Sequence, residues 1–346
     1  MFTKNSYFLL KKELQPWLEA PVIDAHVHTA TSMEEIDPEK QKPHPLSFGI
    51  MNNRTLSIRP DTFSRIFPDI KYIGFPLPLP FKNAKPDLWN NQLIINESKK
   101  GIFCLMHSQP VDHLEETMKI AREKNVQLYG IKIHPRMRPD KIKSEVLVTD
   151  LVSERLLDFA EKNKLSLLLE LSHGFCEEDI KTLKYIDKSY NIKVIIPHFA
   201  QNHKGFVTNL GDYEKSIKDK SDPFVKEFKP LQETNNLYMD NALVIDKRVV
   251  QAALVTLGPD KILYGSDYPF GFTQRIKEFR FDDKILVSDL KKIIDGNYKQ
   301  IYEIWKYDYN ILLPIKALQI ACDQLHLDAT KKIMYQNIIK AYNLNL

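Results

Sequence analysis

The chain has 346 residues, enough for one large domain or two medium ones, and 43% of them are hydrophobic, which supplies a sizeable core and excludes a disordered chain. Its net charge of +4, from 49 basic and 45 acidic residues, is too small and too evenly spread to expect a nucleic-acid partner. The longest apolar runs, such as residues 165–171, are far too short to span a membrane, and Lys11, Lys12 and Glu13 cut short the apolar patch that a signal peptide would need. Three scattered cysteines, Cys104, Cys176 and Cys322, fit a reducing cytoplasm rather than a disulfide framework.

Residues 7–20 predict a short amphipathic helix, with Pro16 as a kink. Ile23-Asp24-Ala25-His26-Val27-His28 follows as a strand, β-branched and introduced by Pro21. Side-chain alternation would place Asp24, His26 and His28 on one face. Residues 29–60 form a long irregular stretch, and a loop of that length in a compact domain is usually functional, here a lid over the pocket mouth. A helix over 61–67, a strand over 72–75 and a helix over 87–100 come next.

A regular rhythm then sets in. Strands are predicted at 102–106, 128–133, 165–171, 193–196, 237–239 and 261–265. Helices are predicted at 111–124, 149–163, 177–185, within 222–234, and at 247–257. The strands read as continuous apolar runs, as expected when both faces of a parallel sheet are buried. Eight such repeats predict an α/β fold, a (β/α)8 TIM barrel with an N-terminal helix, a long loop after strand 1 and extra C-terminal helices. A doubly wound open sheet would want a Gly-rich turn after strand 1, and none is present. Helices at 290–305, 315–325 and 330–342 complete a single domain, with its barrel core at about 21–270 and a helical extension over 271–346.

In such a barrel the active site lies at the C-terminal ends of the strands. His26, His28, His107, Lys132, His134, His173, His198, Asp240 and Asp267 all fall there. Each one alone would read as a hydrogen-bonded rim residue. Six of the ten histidines in one tier is a pattern that single-residue explanations do not cover. The paired imidazoles of His26 and His28 suit a single divalent metal.

These residues resemble the amidohydrolase superfamily, and the local wording resembles its amidohydrolase-related branch, which holds decarboxylases related to aminocarboxymuconate semialdehyde decarboxylase and various hydrolases. The matching phrases are Ile23-Asp24-Ala25-His26-Val27-His28, Gly130-Ile131-Lys132-Ile133-His134-Pro135, Tyr264-Gly265-Ser266-Asp267-Tyr268-Pro269 and, through Asn337 alone, Gln336-Asn337-Ile338. The resemblance covers roughly residues 21–342. It implies that His26, His28, His173 and Asp267 bind one divalent metal, zinc foremost, with iron, manganese or cobalt also compatible. It implies that Asp267 shuttles a proton and that His198 polarises the substrate or orients water. Lys132 reads as an uncarbamylated cation that receives a substrate carboxylate, with His134 and His107 as further substrate-binding groups. A carbamylated Lys132 bridging two metals, or a salt bridge from Lys132 to Glu170 or Asp240, are the alternatives. The expected partner is a small, carboxylate-bearing molecule; a homodimer is compatible. The expected activity is hydrolysis of a small ester, lactone or amide, with non-oxidative decarboxylation as the alternative and a non-catalytic metal-binding barrel behind both.

Overall fold

Eight strands form one sheet, all parallel, in the order in which they occur along the chain. They are β1 (Ile23–Thr29), β2 (Lys71–Pro76), β3 (Phe103–His107), β4 (Leu128–Ile133), β5 (Ser166–Leu169), β6 (Val194–Ile196), β7 (Leu237–Asp240) and β8 (Ile262–Leu263). The computed structural model describes residues 14–18, 21–29, 71–76, 91–92, 95–96, 103–107, 112–135, 138, 140–142, 145–171, 174–201, 223–242, 244, 247–267 and 312–346. The expected lid over 29–60 and the helices over 61–67 and 290–305 lie outside the described residues.

The strand number, direction and order agree with a TIM-barrel-like α/β fold. Closure is the point of difference, because no ladder joins β8 to β1 among the described residues. Single hydrogen bonds join them instead. Ala25 N–H donates to the Tyr264 carbonyl at 3.0 Å, and Asp267 N–H donates to the His26 carbonyl at 2.9 Å. A β8 of only two residues leaves too little regular backbone for more.

The helices α1 (Gln15–Leu18), α2 (Asp112–Glu123), α3 (Val148–Leu151), α4 (Glu154–Lys162), α5 (Glu177–Ser189), α6 (Pro223–Phe228), α7 (Lys247–Leu257), α8 (Leu312–Gln324) and α9 (Asn337–Tyr342) are described. The single helix expected over 149–163 is two. Val152 is extended, and Ser153 restarts the chain as an N-cap whose hydroxyl accepts from Leu156 N–H at 3.3 Å.

Alternation along the strands sorts the core into two clusters. Val22, Ile131, Ile133, Leu167, Leu169, Val194, Ile196 and Met239 pack with the helices. Ile23, Ala25, Ile73, Leu168, Ile195, Tyr238 and Leu263 form a second, inner cluster, together with Ile338, Ala341, Tyr342 and Leu344 from the C-terminal segment. That segment is therefore the plug under the sheet. It is pinned by Asn337, fully buried, whose Nδ2 donates to the carbonyls of Pro259 at 2.7 Å and Ile262 at 2.8 Å. A π-turn over Lys332–Gln336 precedes it, and its Ile333 carbonyl accepts from Tyr264 N–H at 3.2 Å.

Replacing Asn337 with Ala strands two carbonyls beside β8. We expect unfolding free energy to fall by about 2 kcal/mol, the scale of buried polar groups left unmade. Urea titration should show a lower midpoint at an unchanged slope; an unchanged midpoint would contradict the pinning role.

Candidate active site

The site is built on a bulge in β1. Asp24 pairs with Tyr72 and Val27 with Gly74, so Ala25 and His26 together stand opposite Ile73. Parity changes there: Ile23 and Ala25 belong to the inner cluster, Val27 to the outer one. The expectation that Asp24 and His26 share a face by simple alternation is corrected by this extra residue. Asp24 faces backbone instead. Its Oδ1 accepts from His26 N–H at 3.1 Å and from Ser266 N–H at 3.0 Å, fastening the bulge to the end of β8. Burial pushes the Asp24 carboxyl up to about 7, against the lowering pull of its bonds to Ser266 and His26.

His26 is completely buried. Its Nδ1 lies 2.8 Å from Asp240 Oδ2, its Nε2 3.2 Å from Asp267 Oδ1 and 3.5 Å from Lys132 Nζ. Asp240 Oδ1 is held in turn by Ala242 N–H at 3.0 Å. Burial and the Lys132 charge disfavour a charged ring, but Asp240 and Asp267 outweigh them and hold His26 up at about 9. Gly265 makes this approach sterically open, since a Cβ there would stand 2.8 Å from the His26 Cβ.

Asp267 and His198 close the group. Asp267 Oδ2 lies 3.5 Å from His198 Nε2, and the His26 and His198 rings are 4.5 Å apart between centroids. Both residues adopt positive φ, 57° at Asp267 and 90° at His198. Such non-glycine backbone costs roughly 1–3 kcal/mol and persists where surrounding contacts over-determine it, often at functional sites. His26, His198 and Asp267 each offer one ligand atom, all within 4.8 Å of one another. This is a donor set able to hold a divalent cation.

A second buried group adjoins it. Glu170 splits its carboxylate between Lys132 of β4 and His134 just after it, with Oε2 at 3.0 Å from Lys132 Nζ and Oε1 at 3.0 Å from His134 Nε2. Of the alternatives for Lys132, the salt bridge to Glu170 is present. Burial alone would raise the Glu170 carboxyl, but His134 and Lys132 hold it well below the ordinary 4.5.

The structure thus brings together His26, His198, Asp267, Lys132 and His134. His173 lies outside the described residues, as do the side chains of His28 and His107, whose backbones belong to β1 and β3. Asp240, weighed from sequence only as a salt-bridge partner for Lys132, proves to be the partner of His26. Glu170, inside an apolar strand, was legible as a carboxylate needing a partner.

A family model described as amidohydrolase matches residues 23–344. The chain belongs to the amidohydrolase family. The resemblance read from the strand-end motifs holds at the level of this family. No curated protein sequence matches the chain. Among solved structures, it is similar to a probable 2-pyrone-4,6-dicarboxylic acid hydrolase from Acinetobacter baumannii (12% identity, 93% of this chain and 99% of that one, TM-score 0.53). It is similar to 5-carboxyvanillate decarboxylase from Novosphingobium aromaticivorans, solved with manganese and a nitrobenzoic acid (12%, 94% and 97%, TM-score 0.55). It is also similar to a zinc-bound amidohydrolase from Burkholderia multivorans (10%, 94% and 100%, TM-score 0.51). At these identities the likeness establishes the fold. No described helix is long and apolar enough to cross a membrane.

The Glu170 pairing predicts a pH signature. Its folded carboxyl titrates below the ordinary 4.5, so the stability it adds is present above that pH and is lost as pH falls below it. Glu170→Gln should cost about 3 kcal/mol or more near pH 7, because Lys132 is left buried without its counter-charge. The gap between wild type and variant should narrow in acid. A gap that stays constant down to about pH 3 would rule out the ionised bridge as its source.

Proposed function

We propose that this amidohydrolase is a metal-dependent hydrolase of a small ester, lactone or amide, working in a (β/α)8 barrel that folds as one domain. The observation that carries this reading is the convergence of His26, at the bulge of β1, with Asp267 and His198, which follow β8 and β6. The donor chemistry fits a metal. A carboxylate can only accept, so the 2.8 Å contact with Asp240 makes Nδ1 the protonated nitrogen of His26 and leaves Nε2 as its donor atom, facing Asp267. In the absence of an ion, the raised basicity of His26 gives Nε2 a proton, and metal and proton compete for that one atom. Lys132 Nζ is the discordant neighbour; a cation held by Nε2 shares His26 with an ammonium already tied to Glu170.

His26 and Asp267 would hold the ion together with His28 and His173. One such ion, zinc foremost, supplies positive charge that eases ionisation of water and polarises a carbonyl. The remaining steps belong to the chain. Asp267 accepts the proton of the attacking water and returns it to the leaving group, since its second oxygen faces His198 rather than His26. His198 orients the substrate carbonyl or the water. Lys132 and His134, both paired with Glu170, are assigned with His107 to binding a carboxylate on the substrate. Cysteine usage supports a cytoplasmic setting.

The test begins with elemental analysis. About one metal per chain is expected in wild type and little in His26→Ala. Asp267→Asn should retain most metal while turnover falls by ~10²-fold or more, because an amide cannot accept a proton at neutral pH. Near-normal turnover in Asp267→Asn would move the base to His198. Release of carbon dioxide without water uptake would replace hydrolysis with decarboxylation at the same site.

A further inference from the structure

The β1 bulge that presents His26 leaves a backbone problem behind it. Ala25 and His26 have no register partners in β2. Toward β8, Ala25 N–H reaches Tyr264 O, but Ser266 N–H is taken by the Asp24 side chain and Asp267 N–H by the His26 carbonyl. The Ala25 carbonyl, at the floor of the site, is met by neither of these neighbouring donors. It accepts instead from the hydroxyl of Tyr342 at 3.0 Å, across 317 residues of sequence. Tyr342 is fully buried in the inner cluster, and burial pushes its phenol well above the ordinary 10, with Asp240 and Asp24 adding to the effect. The hydroxyl therefore stays a donor.

We propose that Tyr342 is a positioning residue for His26. Its hydroxyl stabilises the carbonyl that the bulge exposes, and so holds the bulge in the one form that aims His26 Nε2 at Asp267. Without the hydroxyl, the buried carbonyl is left unsatisfied, and the bulge relaxes toward regular pairing with Ile73, which turns His26. The C-terminal plug thereby sets metal affinity as well as stability. This rests on the metal reading given above.

A neighbouring contact provides the control. Ser166 Oγ donates to the Ala341 carbonyl at 2.6 Å, so it docks the same C-terminal segment onto β5 without touching β1. Tyr342→Phe keeps the ring in its slot and Ser166→Ala is smaller still, so both variants should fold. Zinc affinity is measured by competition with a chromophoric chelator on wild type and both variants, with urea unfolding of the metal-free proteins alongside. We expect both variants to lose stability, but only Tyr342→Phe to weaken zinc binding, by about tenfold or more, the scale for removing an outer partner of a metal ligand. Ser166→Ala should stay within about twofold of wild type. Equal zinc affinity in Tyr342→Phe and wild type overturns the proposal, and so does an equal loss in both variants, which would make the effect general docking. If wild type itself binds no zinc, the metal reading falls, and this coupling with it.

Discussion

The site depends on the hydrogen bond between His26 and Asp240. Two fully buried side chains meet at 2.8 Å, and only one of them can donate. An imidazole on its own presents two interchangeable nitrogens. Against a fixed carboxylate it becomes directional, with Nδ1 committed and Nε2 left to face Asp267. Asp240 can play that part because its other oxygen is held by the backbone of Ala242, so it does not rotate away. Gly265 leaves the room His26 needs, and the bulge of β1 turns it inward.

Four carboxylates and a lysine, Asp24, Glu170, Asp240, Asp267 and Lys132, are buried with His26, His134 and His198 at one end of the sheet. Isolated, any of them would be costly in that setting. The chain limits the cost by sharing. Glu170 serves two partners, Asp24 collects two backbone N–H groups, and Asp267 lies between two histidines. Beneath them, Ile23, Ala25, Leu168, Ile195 and Leu263 with the C-terminal segment form an apolar floor. The polar groups above must therefore satisfy one another, which makes their arrangement specific.

Much of this was legible in the sequence for a physical reason. A parallel strand covered on both faces reads as an apolar run, and its end is the first place where a polar residue is tolerated. Lys132, His134, Asp240 and Asp267 were found in that way. The bulge was not legible, because Ala25-His26-Val27 looks like regular strand and the parity change comes from pairing with β2 and β8. The break at Val152 was hidden in a segment that kept helical periodicity across it. Tyr342 carried no signal at all. Its partner is a backbone carbonyl, which has no letter in the sequence, and its neighbours mark only a helix face. The roles of Asp267 and His198 came from family resemblance rather than from spacing.

The same arrangement explains why ligand residues say little about reaction type. Hydrolysis and decarboxylation both need a cationic centre and a carboxylate that can carry a proton, the part proposed for Asp267 in either. Its two oxygens differ in surroundings: one faces His26, the other His198. In the proposed reading, the first belongs to the donor set and the second is the one that exchanges a proton with a substrate atom. Which atom that is would depend on how the substrate is turned, a part proposed for Lys132 and His134, which Glu170 holds at the end of β4. Holding those two residues with a single carboxylate couples their positions, so a substrate that moves one must move the other. In the proposed reading, substrate orientation falls to the Lys132–Glu170–His134 group at the ends of β4 and β5, and the proton-carrying chemistry common to both reactions falls to His26, Asp240, Asp267 and His198.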